Sequence, residues 1–372
     1  MNPFLINNYK SPKYFCDRKT ETADLLKNIK SKTDTAFFAQ RRIGKTALIR
    51  HVFYLLKKEK LVSIYLDIYA TLDLGDFTNQ LANAIYTAFP PKQTVGRRFL
   101  EAIKSLRPII TLDEITGTPQ LSLDITKTAQ FERTMPQLLK FLDSENVQVI
   151  IAIDEFQQIL TYPEKNVEAI LRTVMQTLKN VHFIFCGSNQ KMMHQIFNNA
   201  KRPFYASTKN VNLQRIDRKE YSKFIKSHFQ NNKIDIEADA IELMLDLTDC
   251  HTYYTQRLCH EVFDAKVEKV VTDTVLQSLN KILTDNENIY FQYRNLITSN
   301  QWKLLKALSI EEKVFQPYSK KFLKDHDLGS SAIVKRSLEA LVEKELVYYH
   351  SGIEEPYYEV YDKFLMRWMQ YK

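Results

Sequence analysis

The feature that most constrains the fold is an eight-residue segment, Ala-Gln-Arg-Arg-Ile-Gly-Lys-Thr, at residues 39–46. It lies between a short apolar strand predicted at residues 35–39 and a helix predicted at residues 45–57, whose apolar side chains share one face. Segments of this kind wrap phosphate groups with the backbone N–H groups of the loop and of the helix N-terminus. The segment therefore predicts a phosphate-binding loop between a strand and a helix.

Three residues of this loop have distinct expected roles. Gly44 allows close approach of the backbone, Lys45 reaches the β and γ phosphates, and the Thr46 hydroxyl ligates Mg²⁺. The first position is Ala39 where the motif usually has glycine, and taken alone the segment could be the start of a basic helix. The residues expected to bind the nucleotide are Ala39, Gln40, Arg41, Arg42, Ile43, Gly44, Lys45, Thr46 and Ala47.

A second element supports the first. Residues 149–155 are an apolar strand that ends in Asp154 and Glu155. A buried parallel strand of this kind carries both acids to the carboxyl edge of a sheet, where ligands bind in open α/β folds. Asp154 is expected to hold Mg²⁺, and Glu155 to orient or activate the attacking water. The alternative is a helix N-terminus that favours acidic residues.

A third element is the apolar strand at residues 183–187, which is followed by Ser188 and Asn189. Either of these two residues is expected to lie beside the γ-phosphate and to sense it. Alternatively, they cap the helix predicted at residues 190–197, and both interpretations can hold together. The residues expected to be catalytic are Lys45, Asp154, Glu155, Ser188 and Asn189.

Strand-like and helical segments alternate through the first half of the chain. Strands are predicted at residues 35–39, 61–69, 147–153 and 182–186, helices at 17–29, 45–57, 77–89, 129–143 and 167–178, and a hairpin at 109–123. This alternation predicts an α/β fold with a parallel sheet covered by helices, the core of a P-loop NTPase.

The second half of the chain has a different pattern. Helices are predicted at residues 219–229, 238–248, 253–267 and 272–286, then at 301–308 and 319–324, then a third helix capped by Ser330 or Ser331, two strands around Ser351 and Gly352, and a last helix capped by Asp362. The first four helices predict a small all-helical domain, and the remainder predicts a winged helix. The expected domains are residues 1–216, 217–290 and 291–372.

At these elements the chain resembles the AAA-plus and STAND classes of P-loop ATPases. It is most similar to the archaeal-type ATPase family, in which an Arg-Arg-x-Gly-Lys-Thr loop and strands ending in Asp-Glu and Gly-Ser recur. Residues 14–18 with Glu21 resemble the N-terminal motif of that family, although Asp17 stands in place of a glycine. The resemblance implies ATP and Mg²⁺ as cofactors, a helical lid and a C-terminal winged helix, a layout that origin-recognition initiators share more distantly.

The chain departs from the family pattern at two places. The lid turn at residues 249–254 lacks the usual glycine and proline, so His251 is expected either to contact the nucleotide or simply to begin a helix. The arginine that often follows the sensor helix is absent after Tyr205. Arg202, Arg215 and Arg257 are the candidates to replace it at the γ-phosphate, in cis or from a neighbouring subunit.

The net charge of +8 permits contact with nucleic acid. The third winged-helix helix would present Ser330, Ser331, Lys335 and Arg336 to a DNA major groove, with Lys320, Lys321 and Lys324 near the phosphates. The alternative is that these side chains form a solvated face and that the module packs on the ATPase or on a protein partner. A homo-oligomer is a further expected partner arrangement.

The remaining composition favours a cytoplasmic protein without membrane contact. No segment has the roughly 18–20 apolar residues that span a bilayer, and residues 1–13 lack the layout of a secretory signal. The four cysteines have no metal-binding spacing and are expected to be free thiols.

Two functional hypotheses follow. The first is an ATP-binding and ATP-hydrolysing switch that acts on DNA through its winged helix. The second is a slow or non-hydrolysing nucleotide-dependent signalling or scaffold protein that binds protein partners only.

Overall fold

The computed structural model describes residues 1–7, 9–125, 128–351 and 355–371, and the chain divides into two compact units. The first, which we call the sheet unit, comprises residues 8–215. The second, the helical unit, comprises residues 216–372 together with residues 1–7. The first seven residues thus belong to the unit that the C-terminal part of the chain forms.

The sheet unit contains a five-stranded parallel sheet and an additional hairpin. Its elements in chain order are α1 (Lys19–Lys30), β1 (Thr35–Phe38), α2 (Lys45–Leu56), β2 (Leu61–Asp67), α3 (Leu74–Ala88), α4 (Thr94–Ala102), β3 (Pro108–Leu112), β4 (Pro119–Leu123), α5 (Thr128–Ser144), β5 (Gln148–Asp154), α6 (Val167–Met175), β6 (Val181–Gly187), α7 (Gln190–Phe197) and β7 (Lys209–Asn212). The strand order is β2-β5-β6-β1-β7, and the neighbouring strands are parallel. The predicted α/β fold is therefore confirmed.

The central strands are buried on both faces of the sheet. Strand β6 is buried along its whole length, and β5 is buried from Val149 onward. Ile150 packs on one face with the apolar side of α2, whereas Val149 and Ile151 pack on the other face with α3 and α5. Burial of both faces explains why these strands are continuous apolar runs rather than alternating ones.

The region between β2 and β5 contains an element that the sequence pattern did not indicate. The hairpin predicted at residues 109–123 is present as β3 and β4. Helix α4, which precedes it, was missed because two prolines and Gly96 interrupt the helical pattern. A Cβ atom on Gly96 would lie 2.3 Å from the backbone oxygens of Phe89 and Pro90. The glycine therefore allows α4 to pack against the end of α3.

The helical unit combines the predicted lid and winged helix. Its elements are α8 (Arg218–Asn231), β8 (Asp235–Ile236), α9 (Ala238–Thr248), α10 (Thr252–Asp264), β9 (Lys269–Val270), α11 (Thr272–Asp285), α12 (Glu287–Leu296), α13 (Ser299–Glu311), α14 (Lys320–Asp325), α15 (Ser331–Glu343), β10 (Val347–His350), β11 (Tyr357–Val360) and α16 (Lys363–Tyr371). Three helices followed by a hairpin and a last helix match the predicted winged helix. The predicted turn at Gly352 lies outside the described residues.

One detail of the lid differs from the expectation. The region predicted to be all-helical also contains the short parallel pair of β8 and β9. These connectors carry the buried side chains of Ile236 and Val270, and pairing satisfies their backbone groups. No helix in the described ranges is long and apolar enough to cross a membrane.

The last helix of the chain packs on the turn between α9 and α10. The Arg367 guanidinium donates to the carbonyl oxygens of Leu247 at 3.0 Å and Asp246 at 2.8 Å, at the C-terminal end of α9. Such carbonyls have no partner within their own helix, and a cation there is also favoured by the helix dipole. The buried Lys363 ammonium lies 2.6 Å from Glu359 and 3.4 Å from Asp249.

The N-terminal residues form an anchor in the same unit. The Phe4 side chain is fully buried, with ring centroids 5.2 Å from Phe229, 5.7 Å from His228 and 6.1 Å from Phe263. The Asn2 amide donates to the carbonyl oxygen of His260 at 2.9 Å. We call residues 1–7 with this pocket the N-terminal anchor.

Candidate functional site

The segment predicted to bind phosphate follows β1 and ends where α2 begins at Lys45. Arg42 and Gly44 have positive φ angles of 60° and 98°, and Ile43 between them does not. Backbone that alternates in this way turns successive N–H groups toward one concave side, which binds anions. Gly44 is also the N-cap of α2, so the helix N-terminus opens onto the same side.

Arg18 contacts this loop from the N-terminal motif. Its guanidinium donates to the carbonyl oxygen of Ile43 at 3.2 Å and to Glu21 at 2.8 Å, and the arginine is only 4% exposed. Asp17 and Arg18 both have positive φ angles. The turn at these two residues brings the guanidinium under the loop and satisfies a carbonyl group that points away from the anion-binding side.

The Lys45 ammonium has the character expected of a phosphate ligand. The residue is buried, and no hydrogen-bond partner of its Nζ atom is found within the described ranges. Burial lowers the pKa of Lys45, while the nearby carboxylates of Glu155 and Asp154 act in the opposite direction. A buried ammonium without a hydrogen bond is costly. Phosphate oxygens of a ligand would supply the missing acceptors.

Asp154 lies at the end of β5 and is held by three hydrogen bonds. Its Oδ2 atom accepts from the Thr46 hydroxyl at 2.8 Å and from the Tyr65 hydroxyl at 2.6 Å. Its Oδ1 atom accepts from the backbone N–H of Glu155 at 3.0 Å. The two residues that the sequence predicted to ligate Mg²⁺, Thr46 and Asp154, are thus in direct contact across 108 positions of the chain.

The donor set here fits Mg²⁺. No cluster of three or more histidine, cysteine, aspartate or glutamate side chains that could hold a metal is found in the described part of the chain. A hydroxyl and one carboxylate are nevertheless what Mg²⁺ uses when phosphate oxygens and water complete its octahedral shell. Thr46 and Asp154 therefore fit this ion together with a nucleotide rather than alone.

Tyr65 was not singled out from the sequence. It lies on β2, which pairs with β5, and its ring is 4.1 Å from the Arg50 guanidinium of α2. Burial raises the pKa of Tyr65, and the Asp154 carboxylate raises it further, so the hydroxyl remains a donor. The sequence signal was a polar group in a strand predicted to lie in the sheet, and the role of this group becomes clear only once the order of the strands is known.

Glu155 has a positive φ angle of 54° and directs its carboxylate toward the end of β6. Its Oε2 atom accepts from the Ser188 hydroxyl at 2.6 Å and from the Gln157 amide at 2.5 Å. The Ser188 hydroxyl oxygen in turn accepts from Nε of Arg41 at 3.2 Å. We call this set, Arg41, Ser188, Glu155 and Gln157, the glutamate network.

Ser188 and Asn189 have different surroundings. The Ser188 hydroxyl faces Glu155, whereas the Asn189 side chain accepts from the backbone N–H of Met192 at 3.1 Å and caps α7. Gly187 precedes them at a crowded position, since a Cβ atom there would lie 2.3 Å from the Gln157 amide oxygen. Asn189 therefore caps the helix, one of the two alternatives that the sequence left open, and a sensing role for Ser188 stays a prediction.

Two of the three candidate arginines, Arg202 and Arg257, lie beside carboxylates. Arg202 forms an ion pair with Glu168 of α6, and Arg257 lies 3.4 Å from Glu261 on its own helix. Arg215 is the last residue of the sheet unit. His251 belongs to the helical unit, where it is the buried N-cap of α10.

The basic residues of the winged helix lie on its surface. Ser330 caps α15, its hydroxyl accepting from the backbone N–H of Ile333. The exposed basic and hydroxyl side chains of α14 and α15 are Lys320, Lys321, Lys324, Ser331, Lys335 and Arg336, and the exposed acidic side chains of the same helices are Asp325, Glu339 and Glu343. Contact of these side chains with DNA or with a protein partner stays a prediction.

Two family models match the chain. Residues 15–258 match the model described as an ATPase domain predominantly from Archaea. Residues 288–371 match the model described as a "probable winged helix domain". No curated protein matches the chain significantly in sequence.

Solved structures show the same fold at low sequence identity. The Walker-type ATPase PABY2304 of Pyrococcus abyssi is 16% identical, with a TM-score of 0.66 and 99% of each chain covered. The ORC2 protein of Aeropyrum pernix, solved as ADPNP-ADP complexes, is 14% identical with a TM-score of 0.59, covering 100% of this chain and 96% of its own. The ORC1 protein of the same organism, solved in complex with DNA, is 13% identical with a TM-score of 0.55 and the same coverage.

Proposed function

The chain belongs to the family of ATPase domains found predominantly in Archaea, here followed by a winged helix, and from this premise we propose that it binds ATP with Mg²⁺ and hydrolyses it. We further propose that the nucleotide acts as a switch, with a core that ends at residue 216, a lid at 217–290 and a winged helix at 291–372. Residues 1–7, which the sequence assigned to a core at residues 1–216, belong to the helical unit instead.

The observation that carries this proposal is one group of contacts in the sheet unit. The buried Lys45 ammonium lacks a hydrogen bond within the described residues, and the Thr46 hydroxyl beside it donates to Asp154. Glu155 extends from the same strand end to Ser188. A phosphate ligand, a metal carboxylate and a base for water are the components that phosphoryl transfer to water requires.

Each side chain has a proposed task. The loop N–H groups and Lys45 bind the β and γ phosphates, and Thr46 and Asp154 hold Mg²⁺, which would neutralise charge on the phosphates. Glu155 takes a proton from the attacking water, with one carboxylate oxygen fixed by Ser188 and Gln157. Arg41 of the phosphate loop donates to Ser188, which donates to Glu155, so a movement of the loop would change the position of the Glu155 carboxylate.

The first test separates binding from hydrolysis. We expect Lys45→Ala to abolish ATP binding, because it removes the ammonium that the phosphates would satisfy. We expect Glu155→Gln to retain ATP binding and to lose turnover by about 100-fold or more, since positioned bases contribute roughly 10²–10⁴-fold. Binding of a fluorescent ATP analogue and release of phosphate are the measurements.

Lys57→Ala is the matched control, because Lys57 is an exposed lysine at the other end of α2. It should leave both measurements unchanged. Undiminished hydrolysis by Glu155→Gln would remove that residue from the mechanism. Tight ATP binding with no hydrolysis by the unsubstituted protein would favour the second hypothesis, a nucleotide-dependent scaffold that binds protein partners.

A finer proposal concerns the partner. We propose that α15 lies in the major groove of double-stranded DNA, with Lys335 and Arg336 facing the duplex and the lysines of α14 near the phosphates. Two features support it, the exposed basic side chains on both helices and the similarity in fold to a protein solved in complex with DNA. A protein partner or a second copy of the chain on the same face is the alternative.

Salt dependence tests the DNA proposal. Replacing Lys335 and Arg336 by alanine should weaken binding to duplex DNA. Replacing Lys320 and Lys321, which the proposal places near the phosphates, should reduce the slope of log affinity against log salt by roughly two, one for each lost phosphate contact. Lys303→Ala with Lys306→Ala is the control, since both are exposed lysines of α13. Unchanged DNA affinity in the α15 variant would refute the groove arrangement.

A further inference from the structure

The Asp154 carboxylate has a hydrogen-bond donor that the proposed mechanism does not use. The Tyr65 hydroxyl donates to Oδ2 at 2.6 Å, the same oxygen that accepts from Thr46 at 2.8 Å. Hydrogen bonds to an ionised carboxylate are the stronger class. Tyr65 is therefore a principal contact of this side chain.

The combined donors fix the carboxylate in one orientation. Oδ2 has two hydroxyl donors, and Oδ1 accepts from the backbone N–H of Glu155. Rotation about the bond to the carboxyl group would break all three contacts. The Thr46 hydroxyl is oriented as well, because it donates its proton to the same Oδ2 atom, and a hydroxyl oxygen that donates its proton can still bind a cation through a lone pair.

Tyr65 is itself well placed to do this. Strand β2 pairs with β5 in a register that sets Tyr65 opposite Ala152 and Asp67 opposite Asp154. The face of the Tyr65 ring is 4.1 Å from the Arg50 guanidinium, a distance at which a cation is attracted to the ring. Arg50 is one helical turn beyond Thr46 on α2, so the ring is held between the strand and the helix of the phosphate loop.

We propose that Tyr65 is a positioning residue for the Mg²⁺ site: it holds the Asp154 carboxylate and, through it, the Thr46 hydroxyl in the orientation that receives the ion with bound ATP. This inference rests on the proposed function, since it assigns a new residue to the same site. Tyr65 acts through Asp154 and touches neither ATP nor water in the reaction. Groups that orient a metal ligand affect metal affinity by about 10–100-fold.

The test is a Mg²⁺ titration of ATP affinity for the full-length protein and Tyr65→Phe. A fluorescent ATP analogue reports the dissociation constant in EDTA and at increasing Mg²⁺ concentration, without requiring turnover. We expect Tyr65→Phe to shift the Mg²⁺ concentration of half-maximal effect upward by roughly tenfold, and to leave the affinity in EDTA unchanged.

Tyr162→Phe is the matched control. Tyr162 is a buried tyrosine of the same unit whose hydroxyl bonds to Thr71 at 2.5 Å and not to a carboxylate. We therefore expect Tyr162→Phe to have the same Mg²⁺ concentration of half-maximal effect as the unsubstituted protein.

The possible results separate a positioning role of Tyr65 from a purely structural one. A shift confined to Tyr65→Phe supports the assignment. An unshifted titration in Tyr65→Phe overturns it, and so does an equal loss of affinity in EDTA, which would mean that the tyrosine only supports the fold. If the unsubstituted protein binds no ATP at any Mg²⁺ concentration, the proposed function itself fails, and this is seen before any variant is compared.

Discussion

At the scale of single residues, the glutamate network concentrates its donors on one atom. Oε2 of Glu155 accepts from the Ser188 hydroxyl and the Gln157 amide, and the backbone N–H of Ser188 lies 3.4 Å away. A carboxylate fixed on one oxygen can present the other to a water molecule in a defined direction. Precise placement of the base is what general base catalysis needs.

Gln157 should therefore matter for turnover. We expect Gln157→Met to lower kcat for ATP hydrolysis by about tenfold, because a hydrogen bond to a charged group is worth about 1.5–3 kcal/mol. ATP affinity should stay the same, since Gln157 contacts the carboxylate and not the phosphate loop. Steady-state phosphate release over a range of ATP concentrations separates kcat from KM.

The next residue in the chain is a suitable control. The Gln158 amide donates to the carbonyl oxygen of Thr71 at 3.0 Å, away from Glu155. Gln158→Met should leave kcat unchanged. If both substitutions lower kcat equally, the effect comes from the loop between β5 and α6 as a whole and not from the bond to Glu155.

The sequence predicted the location of those residues that come directly after a recognisable strand or loop. Lys45 and Thr46 follow the loop, and Asp154 ends a strand, so their meeting at one sheet edge could be expected. The catalytic roles assigned to them remain predictions. Tyr65 and Gln157 could not be predicted in this way, because each acts through a neighbour that only the folded structure identifies.

At the scale of elements, the apolar strands were predicted because burial on both faces makes them continuous apolar runs. The order of the strands in the sheet could not be predicted from the sequence. Strand β5 lies between β2 and β6 in the sheet, although α3, α4, the β3–β4 hairpin and α5 separate it from β2 along the chain. Tertiary pairing decides that order. Helix α4 was missed because two prolines and Gly96 interrupt its pattern, and the two-residue strands β8 and β9 are too short for a periodic signal.

The contact of α16 with α9 is an element-scale feature that links distant parts of the helical unit. Arg367 caps the carbonyl groups of α9, a helix about 120 residues earlier in the chain. Lys363, one turn before Arg367, pairs with Glu359 of β11 and with Asp249 at the end of α9. The last helix of the winged helix is therefore attached to the turn that precedes α10 by charged contacts as well as by packing.

At the scale of the whole molecule, the N-terminal anchor places the start of the chain in the helical unit. We expect Phe4→Ala to lower the free energy of unfolding of that unit by about 3–5 kcal/mol, because it empties a pocket lined by aromatic rings. Thermal or urea unfolding of the full chain is the measurement.

Phe315→Ala is the control, since Phe315 is 47% exposed in the same unit and leaves no closed cavity. A change within about 0.5 kcal/mol is expected for it. Equal stability of the two variants would mean that the Phe4 pocket contributes nothing to the unit in solution.

The division into units illustrates the limit of prediction at this scale. The change from alternating strands to helices near residue 216 is visible in the sequence, because the two regions have different periodicity. The assignment of residues 1–7 to the helical unit cannot be seen in the sequence, because a single phenylalanine and a single asparagine form no periodic pattern. Their contacts lie far along the chain: Phe4 packs on Phe229, which is 225 positions later, and Asn2 donates to His260, which is 258 positions later.

The N-terminal anchor also sets an order of events during synthesis. Phe4 is synthesised before its pocket exists, because the pocket requires Phe229 and Phe263, which are made more than 220 residues later. At about 5–20 residues per second, this interval is roughly 10–50 s. All residues of the sheet unit are synthesised before the pocket of Phe4 can form. The Phe4 side chain therefore stays unburied by its own pocket until after the sheet unit is complete.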